Sequence, residues 1–194
     1  SAMIIDCHGH YTTTPPGVAA WRDAQKEAVA ADPDHISSKG VMTVSDNEIR
    51  ESIETNQLRV QQERGTDVTV FSPRASWMGH HVGNASTSQA WTEHCNDLIR
   101  RVCDLFPTNF VPVCQLPQSP QTPIGTSITE LRRCVEEMGF IGCNLNPDPS
   151  GGYWKDLPLG DKYWYPLYET MCDLDVPAMI HVSGACHPAM HTTS

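Results

Sequence analysis

Five short, almost continuously apolar runs punctuate the chain, at residues 3–6, 67–71, 110–114, 140–145 and 177–182. Runs of this length without polar alternation are expected of strands buried on both faces, as in a parallel sheet. The segments between them have helical period. Ser45 followed by Glu48 makes a capping-box signature, and Ile49, Ile53 and Val60 continue it as an apolar stripe ending near Gly65. Residues 86–105, 127–138 and 161–174 read as three more helices, the second of these stopped at Gly139. The order β-α-β-α-β-α-β-α-β predicts parallel strands joined by right-handed crossovers. An α/β chain of this kind forms either an open doubly wound sheet or part of a (β/α)8 barrel.

Both architectures place functional groups at the carboxyl ends of strands. Polar, loop-forming residues follow every run: His8-Gly9-His10, then Ser72-Pro73-Arg74-Ala75-Ser76, then Gln115-Leu116-Pro117-Gln118, then the stretch from Asn146 to Gly152, and finally His181. In an extended strand Asp6, His8 and His10 share a face, and Gly9 lets the backbone approach a ligand. Two imidazoles at one strand end make half a metal site. His181, ending the fifth run, supplies a third ligand, and three protein ligands with an open position are the common arrangement of catalytic zinc. The competing readings are a hydrogen-bonded or surface pair for His8 and His10 and a core histidine bonded to a carbonyl for His181.

The other candidates are weighed in the same way. Arg74 is placed to clamp a substrate carboxylate bidentately, with a surface ion pair as the alternative. Ser76 and Asn146 are expected to add hydrogen bonds to substrate. Glu48 is the candidate for proton transfer, in competition with its capping role, and Glu51 lies one helical turn on. His80 and His81 read as a solvated loop pair, His187 and His191 stay open, and the five tryptophans read as packing.

Composition narrows the class. A length of 194 residues is one domain by the usual prior, spanning 3–194, with Ser1-Ala2 read as an expression scar. With 39% hydrophobic and 19% charged residues the chain can bury a core. No apolar stretch approaches the roughly 20 residues of a membrane span. A net charge of -10 argues against nucleic acid or an anionic membrane as partner. The eight cysteines are scattered singly, which fits reduced, mostly buried thiols and a cytoplasmic location.

Taken together, the segments Met3-Ile4-Ile5-Asp6-Cys7-His8-Gly9-His10-Tyr11, Phe71-Ser72-Pro73-Arg74-Ala75-Ser76, Asn144-Leu145-Asn146-Pro147-Asp148-Pro149-Ser150-Gly151-Gly152 and Pro177-Ala178-Met179-Ile180-His181-Val182-Ser183 resemble the amidohydrolase superfamily. The resemblance covers essentially all of residues 3–194. It implies a (β/α)8 TIM barrel holding one zinc ion through His8, His10, His181 and a carboxylate from the eighth strand. The implied activity is that of the branch that adds water across the carbon-carbon double bond of a tricarboxylic ring-cleavage product, a small polycarboxylate. Only about the first five βα units are present, so strands six to eight, the carboxylate, and a further histidine and tyrosine near substrate are expected to lie outside this chain. A truncated barrel would leave its fifth strand as an apolar edge that invites pairing, so a homo-oligomer is expected. Two other functions compete: a zinc-dependent decarboxylase of the same superfamily and a non-catalytic barrel fragment.

Overall fold

The computed structural model describes residues 2–120 and 122–183. The predicted strands are all found: β1 (Ile5–Tyr11), β2 (Val68–Pro73), β3 (Phe110–Pro112), β4 (Cys114–Gln115), β5 (Cys143–Leu145) and β6 (Ala178–Ile180). Every pairing is parallel, in the orders β1-β2-β3 and β4-β5-β6. The third apolar run carries both β3 and β4, and it changes partner at Val113. The Val113 amide donates to Phe71 O, while the next amide, Cys114, donates to Gly142 O. One run thus hinges the two sheets into a single curved wall, the geometry that starts a barrel.

Among the described residues six α-helices connect the strands: α1 (Pro16–Ala31), α2 (Asp46–Thr55), α3 (Gln57–Arg64), α4 (Ala85–Leu105), α5 (Gly125–Arg132) and α6 (Tyr165–Leu174). The capping box at Ser45 and Glu48 forms as expected. The predicted helix over 45–65 is instead two helices. Asn56, at φ -125° and ψ -93°, breaks the ladder, so Val60 turns 37% exposed and Gln61 is buried in its place. Helix α1 has no counterpart in the apolar pattern, because two of its three buried residues are Arg22 and Gln25. Its signals are a proline at the first helical position and an alanine-rich sequence.

The core forms where α2, α4, α5 and α6 cover the wall. Ile49 and Ile53 of α2, Trp91, Ile99 and Val102 of α4, Leu131 of α5 and Leu167 of α6 are fully buried with Phe71 and Leu116. Each such side chain contributes roughly 1.5–3 kcal/mol through removal of apolar surface from water. Asn96 ties α4 to the wall: its Oδ1 accepts from the Gln115 amide at 2.9 Å, and its Nδ2 donates to Gln115 O and to the buried Glu130. The described cysteines are free thiols, and burial pushes those of Cys103 and Cys143 up to about 12. Apolar side chains are exposed at both ends of the wall, Ile5 at 56% and Ile180 at 64%, so the expected open edge occurs on β1 as well as on the fifth run. Among the described residues no helix is long and apolar enough to cross a membrane.

Candidate metal centre

Strand β1 does not keep the strict alternation its sequence suggests. Its register against β2 shifts between Asp6 and Gly9, and within that irregularity the Asp6 carboxylate folds back to accept the His8 amide at 3.0 Å. Asp6 is thereby removed from the face it was expected to share with the histidines. Gly9 makes the irregularity possible, since a Cβ there would lie 2.3 Å from Thr69 Cγ2 and 3.2 Å from Val70 O. His8 and His10 emerge at the carboxyl end of β1. His181 follows β6 directly, held in place by its amide, which donates to Leu145 O at 2.8 Å.

These three side chains converge, although His181 lies 171 residues from His10 and 173 from His8. Each pair of Nε2 atoms lies 2.9 Å apart, and the rings stand at interplanar angles of 78° to 87°. Hydrogen bonding cannot satisfy this triangle. Each Nε2 is either a donor or an acceptor, so of three mutual contacts at least one must set two donors or two lone pairs against each other. A shared cation removes that conflict. A point about 2.1 Å from each nitrogen, the usual zinc–imidazole distance, exists for this triangle and sees the nitrogens at roughly right angles, leaving the opposite side open. The residues present therefore fit a divalent metal.

Neighbouring groups set the tautomer. Pro73 O can only accept, so the His10 Nδ1 lying 3.0 Å from it carries the proton and Nε2 presents a lone pair. Ser72 Oγ lies 2.8 Å from the same Nδ1, donates to Gly9 O and accepts from the buried Asn144 amide at 3.1 Å. Burial lowers the pKa of His10, and the neighbouring His181 and His8 lower it further against the pull of the Pro73 carbonyl. Burial and His8 lower that of His181 as well. Both shifts favour the neutral imidazole, which is the ligating form. A cavity of about 250 Å³ lined by His8, Ser72, Val113, Asn144 and Met179 runs along the inner face of the wall.

The remaining candidates fare differently. Arg74 follows β2, half-buried, with its guanidinium 4.9 Å over the Trp77 ring and its Nε donating to Ser76 Oγ at 3.1 Å. Among the described residues no carboxylate pairs with it, so the alternative of a surface ion pair is not what the structure shows. Ser76 supports Arg74. Asn146 holds loops together: its amide nitrogen donates to Ser183 Oγ, its Oδ1 accepts from the Asp148 backbone, and its own backbone pairs with Gln118.

Glu48 requires correction. Its carboxylate accepts from the Ser45 amide and hydroxyl. The neighbouring Asp46 and Val44 are bound by Arg101, in the last turns of α4, so the cap sits toward the amino ends of the strands and away from the histidines. Glu51, on the same short helix, is exposed. His80 is also unlike its expectation: it is 2% exposed, not solvated, whereas His81 is exposed. His187 and His191 lie outside the described residues. Sequence reasoning gave no role to Ser72 or Asn144. The available signal was a polar residue inside a buried apolar strand at its carboxyl end.

The amidohydrolase family profile matches residues 5–193. The chain belongs to the amidohydrolase family. It is 59% identical over 191 residues to a 2-keto-4-carboxy-3-hexenedioate hydratase of Sphingobium sp., which covers 98% of this chain and 55% of that protein. Its fold superposes on the crystal structure of a 4-oxalomesaconate hydratase from Rhodopseudomonas palustris with a TM-score of 0.84 at 49% identity, over 95% of this chain and 54% of that one. A dihydroxybenzoic acid decarboxylase from Polaromonas sp., solved with bound manganese and an inhibitor, shares the fold at a TM-score of 0.61 and 21% identity, over 94% of this chain and 50% of that one. The chain spans about half the length of the relatives it matches. The observed wall of parallel strands is accordingly an amidohydrolase-type barrel in part.

Proposed function

We propose that this chain carries the histidine half of a hydro-lyase centre that adds water to 4-oxalomesaconate, giving 4-carboxy-4-hydroxy-2-oxoadipate in protocatechuate 4,5-cleavage. The observation that carries the reading is the convergence of His8, His10 and His181 from the two ends of the wall, in a chain 59% identical to a hydratase of that substrate class. A divalent metal held there, zinc by the ligand chemistry, supplies Lewis acidity toward an oxygen of the substrate.

The chain's own groups do the rest of the work assigned to it. The Pro73 carbonyl and Ser72 hold the His10 ring in the tautomer that presents Nε2. Arg74 keeps its terminal nitrogens free for two parallel bonds to a substrate carboxylate, because Ser76 takes only Nε and Trp77 fixes the plane. Asn146 sets the loop after β5, through which substrate contacts on that side are made.

The decarboxylase alternative rests on likenesses of 28% identity, over 66% of this chain, and below, against 59% over 98% for the hydratase. The test is direct. Purified chain is loaded with zinc, metal is counted by mass spectrometry, and 4-oxalomesaconate is followed by loss of its conjugated absorbance alongside carbon dioxide release. One zinc per chain, lost in His10→Ala and His181→Ala, is the expected result, and the longer protein that completes the barrel around the same histidines is expected to add water with no gas. Carbon dioxide without a hydrated product overturns the hydratase reading, and no metal bound by the wild type overturns the metal centre.

A further inference from the structure

A further cavity, of about 440 Å³, opens between α1 and the loop after β2, and its lining includes Ala19, Arg22, Asp23, Lys26, Gly79 and His81. Arg22 is the unusual member. Its side chain comes from a residue only 7% exposed, yet among the described residues no carboxylate lies within ion-pair distance of it. Two of its five N–H groups are spent, on Gln25 Oε1 and on Met78 O at 3.1 Å, and its flat face lies 5.0 Å over the Trp91 ring. A buried guanidinium without a paired carboxylate is costly, and Asp23, acting from beyond ion-pair distance, offsets with the polar neighbours only part of that cost. Its plane is set against the cavity wall at Gly79, where φ is +50° and a Cβ would lie 3.2 Å from Nη2.

The residue between Gly79 and His81 repeats the imbalance. His80 Nδ1 accepts from the Gln118 amide at 3.3 Å, so the neutral ring carries its proton on Nε2, and that buried N–H has no partner among the described residues. Donors are in excess on both sides of this loop. Lys26 adds a second cation at the rim, offset by Asp23, which it contacts at 3.4 Å. Burial lowers the Arg22 pKa to about 10, which leaves the guanidinium charged at neutral pH.

We infer that this cavity is a binding site for a small oxyanion, a carboxylate or a phosphate, with Arg22 as its principal donor. None of the three histidines lines it, and it shares Trp77 with the smaller cavity beside Arg74. A planar guanidinium with free donors matches the paired oxygens of either anion.

The test titrates metal-free protein, at constant ionic strength, with inorganic phosphate in one arm and tricarballylate in the other. Thermal stability and tryptophan fluorescence are read, since Trp77 and Trp91 flank the site. A saturable response to at least one anion is expected, with the arm giving the lower midpoint naming the ligand class. Arg22→Met should abolish it, and Ala19→Asp, which puts a negative charge in the same cavity without removing a buried group, should raise the midpoint about tenfold or more. His10→Ala should respond like wild type. Failure of the wild type to saturate with either anion, or an unchanged midpoint in Ala19→Asp, overturns the inference, and the latter decides it if Arg22→Met does not fold.

Discussion

Replacing Gly9 by alanine should disable the metal centre through a single methyl group. The added Cβ would stand 2.3 Å from Thr69 Cγ2, with Val70 O at 3.2 Å and Phe71 Cδ2 at 3.3 Å behind it. Carbon atoms in contact prefer about 3.5–4.0 Å, so β1 must move from β2 by more than 1 Å at the residue between two ligands. Overpacking of this kind costs about 1–3 kcal/mol. The larger effect falls on the nitrogens, whose mutual 2.9 Å spacing cannot survive such a displacement. Zinc affinity, measured by competition with a chromogenic chelator, should fall roughly 10- to 100-fold, the range seen when ligand support is lost. Thr69→Ser removes the clashing methyl and keeps the hydroxyl that accepts from Gln61 Nε2 at 3.0 Å. The double variant should therefore recover stability and affinity relative to Gly9→Ala, with a coupling of about 0.5–3 kcal/mol. Wild-type affinity in Gly9→Ala, or strict additivity with Thr69→Ser, would refute the reasoning.

Two further outcomes are expected. Ser72→Ala leaves the buried Asn144 amide without its acceptor and His10 with Pro73 alone, so zinc affinity in the same chelator assay should drop about tenfold with the fold retained. His80 titrates near 6.5 when unfolded and at about 3 when folded, because burial lowers it, so the unfolded chain binds the extra proton between those values and stability is lost as pH falls below 6.5. By pH 5 this amounts to about 2 kcal/mol, and urea denaturation of His80→Gln should show a correspondingly shallower acid limb; an identical limb in both proteins would show that His80 is not the group responsible.

How much of this was readable from sequence depends on what each residue answers to. The strands were legible because burial on both faces writes a continuous apolar run, and His8, His10 and His181 because strand ends gather function whatever the helices do. Ser72 and Asn144 showed only as polar residues at the ends of apolar runs, since their roles depend on the register that sets them beside His10, which no local pattern encodes. Asp6 was misplaced for the same reason: a register shift of one position undoes alternation.

Glu48 shows the cost of one missed helix. With a single helix between β1 and β2, its first turn would begin at the carboxyl ends of the strands, beside the histidines. The chain instead forms α1 antiparallel to α4, with Trp21 stacked on Trp91 and Gln25 bonded to Thr87 O. It then returns in extended form along the length of α4, pinned at Ser37 to Ser86, at Lys39 to Asp97 and at Val44 to Arg101. Helix α2 therefore starts at the far end of α4, and Glu48 with it. The apolar stripe of α2 was right, and Ile49 and Ile53 are in the core, because a stripe reports which face is buried and carries no information on direction. Direction is set by how many times the chain has already crossed. That count was hidden by Arg22 and Gln25, the polar residues that let α1 bury a face without an apolar signal and that place a guanidinium with no paired carboxylate against the cavity beside it.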